Sequence, residues 1–394
     1  MLSRKLRDSF SQNESDMISN GVIYSIATKI GGPGLGLTSY NTVKALFDAG
    51  FLKKAVCYGN KSDIERRKLL VLRGNPAKLL FFLPHHYYRP LKKGFLDYIT
   101  SRLILKAGCD VFHGWNNQAL RSIKAARKIK ATVIIDSGSI HRFSKEEILD
   151  EEYRRFGLEV KKYLAYTREA SIEELSLADY IFLISEFAKQ TFIKAGFDDK
   201  KLFVMGRGVD LNRFAPDKLK KDKFRVLFVG RICIRKGVQY LLEAWKGLDL
   251  KNAELLLVGN IEDNFRPILA KYNDIKNIVF TGFLKKPEEA YKRSTVFAFP
   301  SLEEGGAKAT YEAMASSLPQ ITTENSASVV RDGIDGFIIP IRDSKAMKEK
   351  ILYFYENPES VARMAANALE NIKHHSWESY RNRLINTYKK LFVQ

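Results

Sequence analysis

The chain has 394 residues, enough for two domains with separate cores, and its composition of 45% hydrophobic and 28% charged residues is that of a globular protein. The three cysteines, Cys57, Cys109 and Cys233, are scattered and lack metal-ligand spacing, which excludes a disulfide framework and a zinc site and favours a reducing cytoplasm. Every apolar run is far shorter than the about 20 residues of a membrane span, and the first eighteen residues lack the apolar core of a secretory signal. We therefore expect a protein that neither spans a membrane nor is exported.

The charge is strongly basic, with 65 Lys and Arg against 45 acidic residues and a formal net charge of +20. Between Lys44 and Lys130 there are 19 basic and five acidic residues, so most of the excess lies in under a quarter of the chain. Such a concentration predicts a local anionic partner, which could be nucleic acid, anionic lipid headgroups or a phosphorylated acceptor. The alternative is a solvated face that only keeps the protein soluble.

Short β-branched runs alternate along the chain with longer stretches of helical period, which is typical of parallel sheets wrapped by helices. The first series of predicted strands is Val22–Ala27, Lys54–Cys57, Val111–His113, Thr132–Ile135, Tyr180–Ile184 and Leu202–Val204. The second series is Arg225–Val229, Glu254–Val258, Asn277–Phe280, Val296–Phe299, Pro319–Thr322 and Phe337–Ile339.

A charged, Pro-containing stretch from Arg213 to Lys223 separates the two series and is typical of an interdomain linker. We therefore predict an N-terminal domain over residues 1–216, a C-terminal domain over 217–375 and a final helix within 376–394. The apolar face of that helix, from Trp377 to Leu391, could pack on either domain.

Ligand-binding signals in the first half follow predicted strands. The run from Gly31 to Gly36 follows the first strand; a glycine turn there lets a ligand approach the backbone, although alone it is a weak signal. His113 ends a strand, at the edge where α/β proteins bind ligands, and His141 follows the next one. Both histidines can equally be hydrogen-bonded residues of the core.

The segment from Leu79 to Lys106 mixes apolar, aromatic and basic residues, including Arg89, Lys92 and Lys93. This pattern predicts a peripheral membrane surface, because basic groups attract anionic lipid and apolar groups insert beside them. The same residues could instead be core beneath a basic rim.

A strand ending in Gly230 begins the strongest pattern of the second half. Arg231 and Lys236 lie on the loop that leads from this strand into a helix over Val238–Trp245. Backbone N–H groups and the helix dipole attract an anion at such a position, and the two cations neutralise it. The loop is therefore a predicted phosphate site.

A second loop carries carboxylates instead of cations. Glu304 precedes the small residues Gly305, Gly306 and Ala307, and Glu312 lies about two turns into the helix that follows. Carboxylates repel phosphate but accept hydrogen bonds from hydroxyl groups. Phosphate binders together with hydroxyl binders predict a nucleotide-sugar ligand.

In these motifs the chain resembles the retaining glycosyltransferases of the GT-B fold, specifically the large fourth family, the glycosyl transferases group 1. The resemblance covers nearly the whole chain. Its motifs here are Gly230-Arg231 with Lys236-Gly237, Glu304 with Glu312, Phe280-Thr281-Gly282-Phe283, Ser376-Trp377-Glu378, Gly31 to Gly36, Ser185-Glu186-Phe187 and Gly208-Val209-Asp210.

The resemblance implies two Rossmann-like doubly wound domains facing a central cleft, with the C-terminal helix crossing back to the N-terminal domain. It implies hexose transfer from a nucleotide-sugar to a sugar- or lipid-linked acceptor, with retention of anomeric configuration. The implied catalytic residues are His141, Arg231, Lys236 and Glu304. The implied donor-binding residues are Gly34, Leu35, Gly36, Gly230, Arg231, Lys236, Gly282, Phe283, Glu304, Gly305, Gly306, Ala307 and Glu312. From their positions, His113 and Arg207 are candidates for the acceptor side, and Arg207 could instead add a phosphate contact or only lie at the rim of the cleft.

The chain departs from the family at two places. Gly305-Gly306-Ala307 replaces the usual Gly-Phe-Gly, and Arg207 replaces the Asn that commonly precedes Gly-Val-Asp. There is no Asp-x-Asp motif, so we expect no metal and no cofactor, with Arg231 and Lys236 stabilising the departing diphosphate.

Two other readings stay open at this point. A nucleotide-sugar 2-epimerase shares the fold, and a basic nucleic-acid-binding protein would explain the charge but leaves the paired glutamates unexplained. We expect no nucleic-acid partner and a cytoplasmic protein, with peripheral binding to the inner face of the membrane as the further hypothesis.

Overall fold

The computed structural model describes residues 21–72, 85–159, 165–217 and 222–392. The described chain forms two halves, each built on one fully parallel sheet that is covered by helices. This confirms the predicted fold of two Rossmann-like doubly wound domains.

The N-terminal sheet has seven strands in the order β3-β2-β1-β4-β5-β6-β7. Their bounds are β1 Val22–Ile30, β2 Leu52–Asn60, β3 Leu69–Val71, β4 Val111–Trp115, β5 Thr132–Ser137, β6 Tyr180–Leu183 and β7 Leu202–Val204. The helices of this half are α1 Leu35–Asp48, α2 His85–Ala107, α3 Leu120–Lys128, α4 Arg142–Arg155, α5 Ala165–Ser176 and α6 Glu186–Lys194. The central strands are buried on both faces, which explains their nearly continuous apolar sequence.

The C-terminal sheet has six strands in the order β10-β9-β8-β11-β12-β13. Their bounds are β8 Phe224–Val229, β9 Ala253–Val258, β10 Ile278–Gly282, β11 Val296–Phe299, β12 Gln320–Thr323 and β13 Gly336–Ile339. The helices are α7 Val238–Lys246, α8 Arg266–Leu269, α9 Glu288–Lys292, α10 Lys308–Ala315, α11 Ser344–Glu356, α12 Pro358–Ile372 and α13 Trp377–Phe392.

Each sheet reverses its strand order once, between β1 and β4 in the N-terminal half and between β8 and β11 in the C-terminal half. Loops that leave the carboxyl ends of the two strands at such a point diverge, and the crevice between them is where open α/β sheets bind ligands. The glycine run from Gly31 follows β1, while the loops with Lys236 and Glu304 follow β8 and β11. The predicted motifs therefore lie at the switch points of the two sheets.

The last helix, α13, packs on the N-terminal half although the chain reaches it from the C-terminal half. The Tyr380 and Thr42 hydroxyls lie 2.9 Å apart, and Arg381 donates to the side chain of Asn41 at 2.8 Å. Tyr380, Leu384 and Tyr388 are buried against this half. The crossing of the C-terminal helix, which the family resemblance implies, is thus present.

The observed elements differ from the sequence prediction at a few ends. The three-residue strand β3 was not predicted, and β1 continues to Ile30 instead of ending at Ala27. Phe214 lies before the predicted boundary at residue 217 but is buried in the core of the C-terminal half. The apolar run from Leu79 to Pro84 lies outside the described residues.

Candidate active site

The two halves touch around two loops that each contain glycine. A Cβ on Gly305 would stand 2.5 Å from the carbonyl oxygen of Gly138, so this contact requires glycine. The Ser185 hydroxyl, at the N-terminus of α6, donates to the carbonyl of Gly305 at 2.8 Å. A Cβ on Gly306 would likewise meet the Ile184 side chain at 2.3 Å. The glutamate loop of the C-terminal half is therefore held against the carboxyl edge of the N-terminal sheet.

Glu304 is the centre of a cluster of opposite charges. Its Oε1 accepts from Lys236 Nζ, from an Arg235 Nη at 3.0 Å and from the Ser301 hydroxyl at 3.1 Å. Burial alone would raise the pKa of Glu304, but the charges of Lys236 and Arg235 outweigh it and lower the pKa. The carboxylate is thus held ionised in the cleft, as an acceptor of hydroxyl hydrogen bonds must be.

Arg235 and Glu303 belong to this cluster, although the sequence analysis did not select them. Burial lowers the pKa of Arg235, but Glu304 and Glu303 outweigh it and raise the pKa overall. Glu303 is 1% exposed and accepts from the Ser139 hydroxyl at 2.9 Å, with Lys145 Nζ at 3.3 Å. Since Ser139 and Lys145 belong to the N-terminal half, Glu303 ties the two halves together beside Glu304.

Glu312 lies on α10, where the sequence spacing places it. Its Oε2 accepts from the buried Tyr291 hydroxyl at 3.1 Å, and its Oε1 forms an ion pair with Lys308 Nζ at 2.5 Å. Ala307 is buried at the N-terminus of the same helix. Glu312, which the family resemblance assigns to the ribose, is therefore held by Tyr291 and Lys308.

The two predicted phosphate-binding cations have different surroundings. The Lys236 side chain is 11% exposed, packs over the Phe299 ring at 4.9 Å and pairs with Glu304. The Arg231 side chain is 64% exposed and pairs with Glu262 at 2.9 Å. The preceding residue, Gly230, continues the sheet by donating to the carbonyl of Val258 at 2.9 Å. Arg231 is therefore held by an exposed ion pair, whereas Lys236 is buried against Phe299 and Glu304.

The N-terminal glycine run forms the tight entry into α1. Gly34 has a φ of 65° and precedes Leu35, the first helical residue, which is 40% exposed. A Cβ on Gly36 would stand 2.3 Å from the carbonyl oxygen of Lys29, so α1 can approach β1 only with glycine there. The Leu35 side chain lies 3.6 Å from the Cβ position of Gly138, which in turn touches Gly305. This loop and the glutamate loop therefore converge on the same place.

The motif from Phe280 to Phe283, which the family resemblance places at the nucleobase, lies at the end of β10. The carbonyl of Gly282 accepts from the backbone of Gly259 at 2.9 Å, and Phe283 is 70% exposed. The contact with the base stays a prediction.

His141 is enclosed by aromatic rings of the N-terminal half. The residue is 2% exposed, and its ring centroid lies 5.1 Å from those of Phe143 and Phe192 and 5.6 Å from that of Phe197. Burial also lowers its pKa. The surroundings of His141 are those of a core residue, but its Nδ1 is buried without a hydrogen-bond partner, and its catalytic role stays a prediction. Ser139, two residues earlier, meets the glutamate loop instead.

His113 lies in the core of the N-terminal half. It is fully buried, with Nδ1 2.7 Å from the Tyr388 hydroxyl of α13 and Nε2 3.2 Å from a carboxylate oxygen of Asp136. Its ring lies edge-on to Tyr24 and Phe182. His113 therefore joins the sheet to the crossing helix, while its role on the acceptor side stays a prediction.

Arg207 lies at the end of the N-terminal half, just after Gly206 and just before the Val209 bridge to Ser376. It is partly exposed, and its Nε is buried without a hydrogen-bond partner. Burial lowers the pKa of Arg207, against the raising effect of Tyr311, Glu304 and Glu312. The turn that carries Arg207 lies beside the contact between the halves, because Met205 donates to the carbonyl of Leu183 and the following Ile184 packs on Gly306.

Comparison with known proteins finds a matching family. The model of the glycosyl transferases group 1 matches residues 211–371, which contain the two loops at the C-terminal switch point. The chain is similar to this family over that stretch. This confirms the resemblance inferred from the motifs, while retention of configuration stays a prediction.

The relatives found by sequence agree. The capsular polysaccharide biosynthesis glycosyltransferase CapM of Staphylococcus aureus is 30% identical over 50% of this chain and 58% of its own length. An uncharacterized glycosyltransferase of Methanocaldococcus jannaschii is 28% identical over 64% of this chain and 69% of its own. The chain thus spans little more than half of the first of these relatives.

Solved structures extend the likeness to nearly the whole fold. A sucrose-phosphate synthase from Thermosynechococcus elongatus has a TM-score of 0.72 and 18% identity over 95% of this chain and 99% of its own. Anabaena HepE in complex with UDP has a TM-score of 0.69 and 15% identity over 94% and 100%. At this level of identity the likeness establishes the fold.

Proposed function

We propose that the protein is a retaining, metal-independent glycosyltransferase that moves a hexose-type sugar from a nucleotide-sugar to an acceptor bound by the N-terminal half. The observation that carries the proposal is Glu304. It is an ionised carboxylate, held by two cations on a loop at one switch point and pressed against the other half of the molecule. In this cleft the hydroxyl groups of a sugar can donate hydrogen bonds to the Glu304 carboxylate, beside cations that can bind a diphosphate.

The relatives support the choice of substrate class. Glycosyltransferases of polysaccharide biosynthesis are among them, and HepE binds UDP and UDP-glucose. On this basis we assign a nucleotide-sugar donor and a sugar or polysaccharide precursor as acceptor. Neither the 2-epimerase nor the nucleic-acid alternative gains support from these comparisons.

In the proposed reaction the bond between the sugar C1 and the diphosphate oxygen breaks, and its electron pair leaves with the diphosphate. The acceptor oxygen forms a new bond to C1 from the same face, and its proton passes to an oxygen of the departing diphosphate. Lys236 and Arg231 stabilise the charge that develops on this group, which is the task of a metal in other transferases. The hydroxyls of the sugar are held by Glu304.

The same-face route needs no carboxylate nucleophile on the acceptor side. Asp136, at the end of β5, is 6% exposed and lies 3.2 Å from His113 inside the N-terminal half. A carboxylate buried to this extent presents little surface to a sugar, which the nucleophile of a double displacement has to attack.

The test combines donor, acceptor and metal. Purified protein is incubated in EDTA with UDP-, GDP- and ADP-sugars, with and without oligosaccharide or lipid-linked acceptors, and the product linkage is determined by NMR. We expect nucleotide release that depends on an acceptor, with the anomeric configuration of the donor kept. Inversion would remove the same-face route, activity lost in EDTA and restored by Mg²⁺ would remove metal independence, and sugar conversion without acceptor would favour the epimerase.

A further inference from the structure

We propose that Arg207, supported by Arg383, is a binding site for the diphosphate of the nucleotide-sugar donor. It lies on the N-terminal half, apart from the Arg231 and Lys236 motif. The inference rests on the proposed function, because it uses the donor assignment of the two glutamates.

Two arginines, Arg207 and Arg383, lie beside Gly206. Among the described residues, no carboxylate lies within ion-pair distance of either. Both residues are partly exposed, but Arg207 Nε and one Nη of Arg383 are buried without a hydrogen-bond partner. Buried donor groups without a partner are costly, so the two side chains indicate that an acceptor such as an anion belongs beside them.

The position of Arg207 is fixed by its neighbours. Arg383 Nε donates to the carbonyl of Met205 at 2.9 Å, and its Nη2 lies 3.1 Å from the Cβ position of Gly206. Gly206 has a φ of 68°, a left-handed conformation that favours glycine. Arg383 thus packs under the turn that delivers Arg207 to the cleft, and it is a positioning residue.

The order of groups in the donor selects the anion. The chain on either side of Arg207 contacts the elements that carry the two glutamates. Met205 donates to the carbonyl of Leu183, and the next residue, Ile184, packs on Gly306 of the Glu304 loop. Val209 donates to the carbonyl of His375, whose ring lies edge-on to Tyr311, the neighbour of Glu312 on α10. In the proposed function Glu304 binds the sugar, and the family resemblance assigns Glu312 to the ribose. The group that joins ribose to sugar in such donors is the diphosphate, so we assign it to Arg207.

The other cations of the cleft are already paired. Lys236 and Arg235 bind Glu304, and Arg231 binds Glu262. An arriving diphosphate must compete with a carboxylate for each of these groups. It meets no such competition at Arg207, whose charge is therefore available for the first contact.

The experiment uses the full chain and isothermal titration calorimetry. Uridine, guanosine and adenosine diphosphates are first titrated into the wild type to find the base that binds. The nucleoside, the monophosphate and the diphosphate of that base are then titrated into each variant. In Arg207→Gln we expect the diphosphate to bind about 10- to 100-fold more weakly, as for loss of hydrogen bonds to a charged group, the monophosphate less so and the nucleoside within twofold. Arg207→Lys, which keeps the charge, should recover part of the loss.

The matched control is Arg363→Gln, which removes one exposed arginine of α12. It should leave all three affinities unchanged. Equal weakening of nucleoside and diphosphate in Arg207→Gln, or no weakening of either, would overturn the assignment of Arg207 while leaving the donor assignment intact. Wild-type protein that binds none of the three diphosphates would instead overturn the donor assignment and this proposal with it.

Discussion

Glu304 accepts hydrogen bonds from two cations that lie on the other loop of the C-terminal switch point. Its partners, Lys236 and Arg235, reach it from a turn that begins at the carboxyl end of β8. The carboxylate thereby orients the ammonium group before any ligand arrives. Preorganised charges of this kind stabilise a transition state without reorganising during the reaction.

We expect Lys236→Met to lower kcat by roughly 10²- to 10³-fold, the scale for loss of one preorganised stabilising group. Methionine keeps the contact of the side chain with Phe299 but removes the charge. Steady-state nucleotide release with saturating donor and acceptor measures the effect. Arg266→Gln, which removes an exposed cation of the same half, is the control and should be silent. Near-wild-type turnover of Lys236→Met would contradict the leaving-group role.

At this scale the sequence predicts some residues and misses others for physical reasons. The spacing of Lys236 and of Glu304 with Glu312 was visible because strand ends and helix starts fix those positions. Arg235 and Glu303 were missed, because each stands next to a residue of the same charge. Only the conformation of the loop determines which of the two neighbours is buried. The burial of His113 and His141 between aromatic rings could not be predicted, because it depends on contacts distant in sequence.

Among the elements, helix α4 joins the halves most directly. Its Glu152 is fully buried and accepts from Gln239 at 2.9 Å, from Tyr240 at 2.6 Å and from Arg342 at 2.6 Å. All three donors belong to the C-terminal half. A helix that leaves the N-terminal sheet is therefore anchored in the opposite domain.

Removal of this anchor should cost stability. We expect Glu152→Ala to lower the free energy of unfolding by about 3 kcal/mol, because the loss of one partner leaves a poorly solvated Arg342. Urea denaturation followed by circular dichroism measures the change. Glu151→Ala is the control on the same helix; its side chain is 42% exposed, so the loss of its pair with Arg342 should have little effect. Equal effects of the two variants would contradict the anchoring role.

Predicted and observed elements agree where the sequence has a clear apolar run or a clear helical period. Strands such as Val296–Phe299 and Leu202–Val204 were predicted with their observed bounds, because each is an apolar run between clear breaks. Strand β3 escaped prediction since three residues give no period, and its pairing with β2 is set by the sheet. The loop contact between Gly138 and Gly305 joins residues 167 positions apart, which no local pattern reveals.

Over the whole molecule, the basic excess of the N-terminal half coincides with an apolar stripe on α2. Leu91, Tyr98 and Leu105 are 48%, 47% and 46% exposed and recur every seven residues, so they share one face of the helix. Arg89 and Arg102 are exposed on the same element. Among the described residues, no helix is long and apolar enough to cross a membrane. The hypothesis is therefore a surface contact.

We expect this face to bind anionic bilayers, because basic residues near such a surface contribute about 1 kcal/mol each and inserted apolar side chains add to that. Sedimentation with vesicles of phosphatidylglycerol and phosphatidylcholine measures it. Binding of the wild type should fall with salt, and both Leu91/Tyr98/Leu105→Ser and Arg89/Arg102→Glu should reduce it, whereas Ile334→Ser with Arg363→Glu on the C-terminal half should not. The two α2 variants separate the insertion of apolar side chains from the attraction of basic side chains to anionic lipid, because the serine variant keeps the charge of the helix. If neither α2 variant binds less than the wild type, the acceptor is better sought among soluble sugars than among lipid-linked ones.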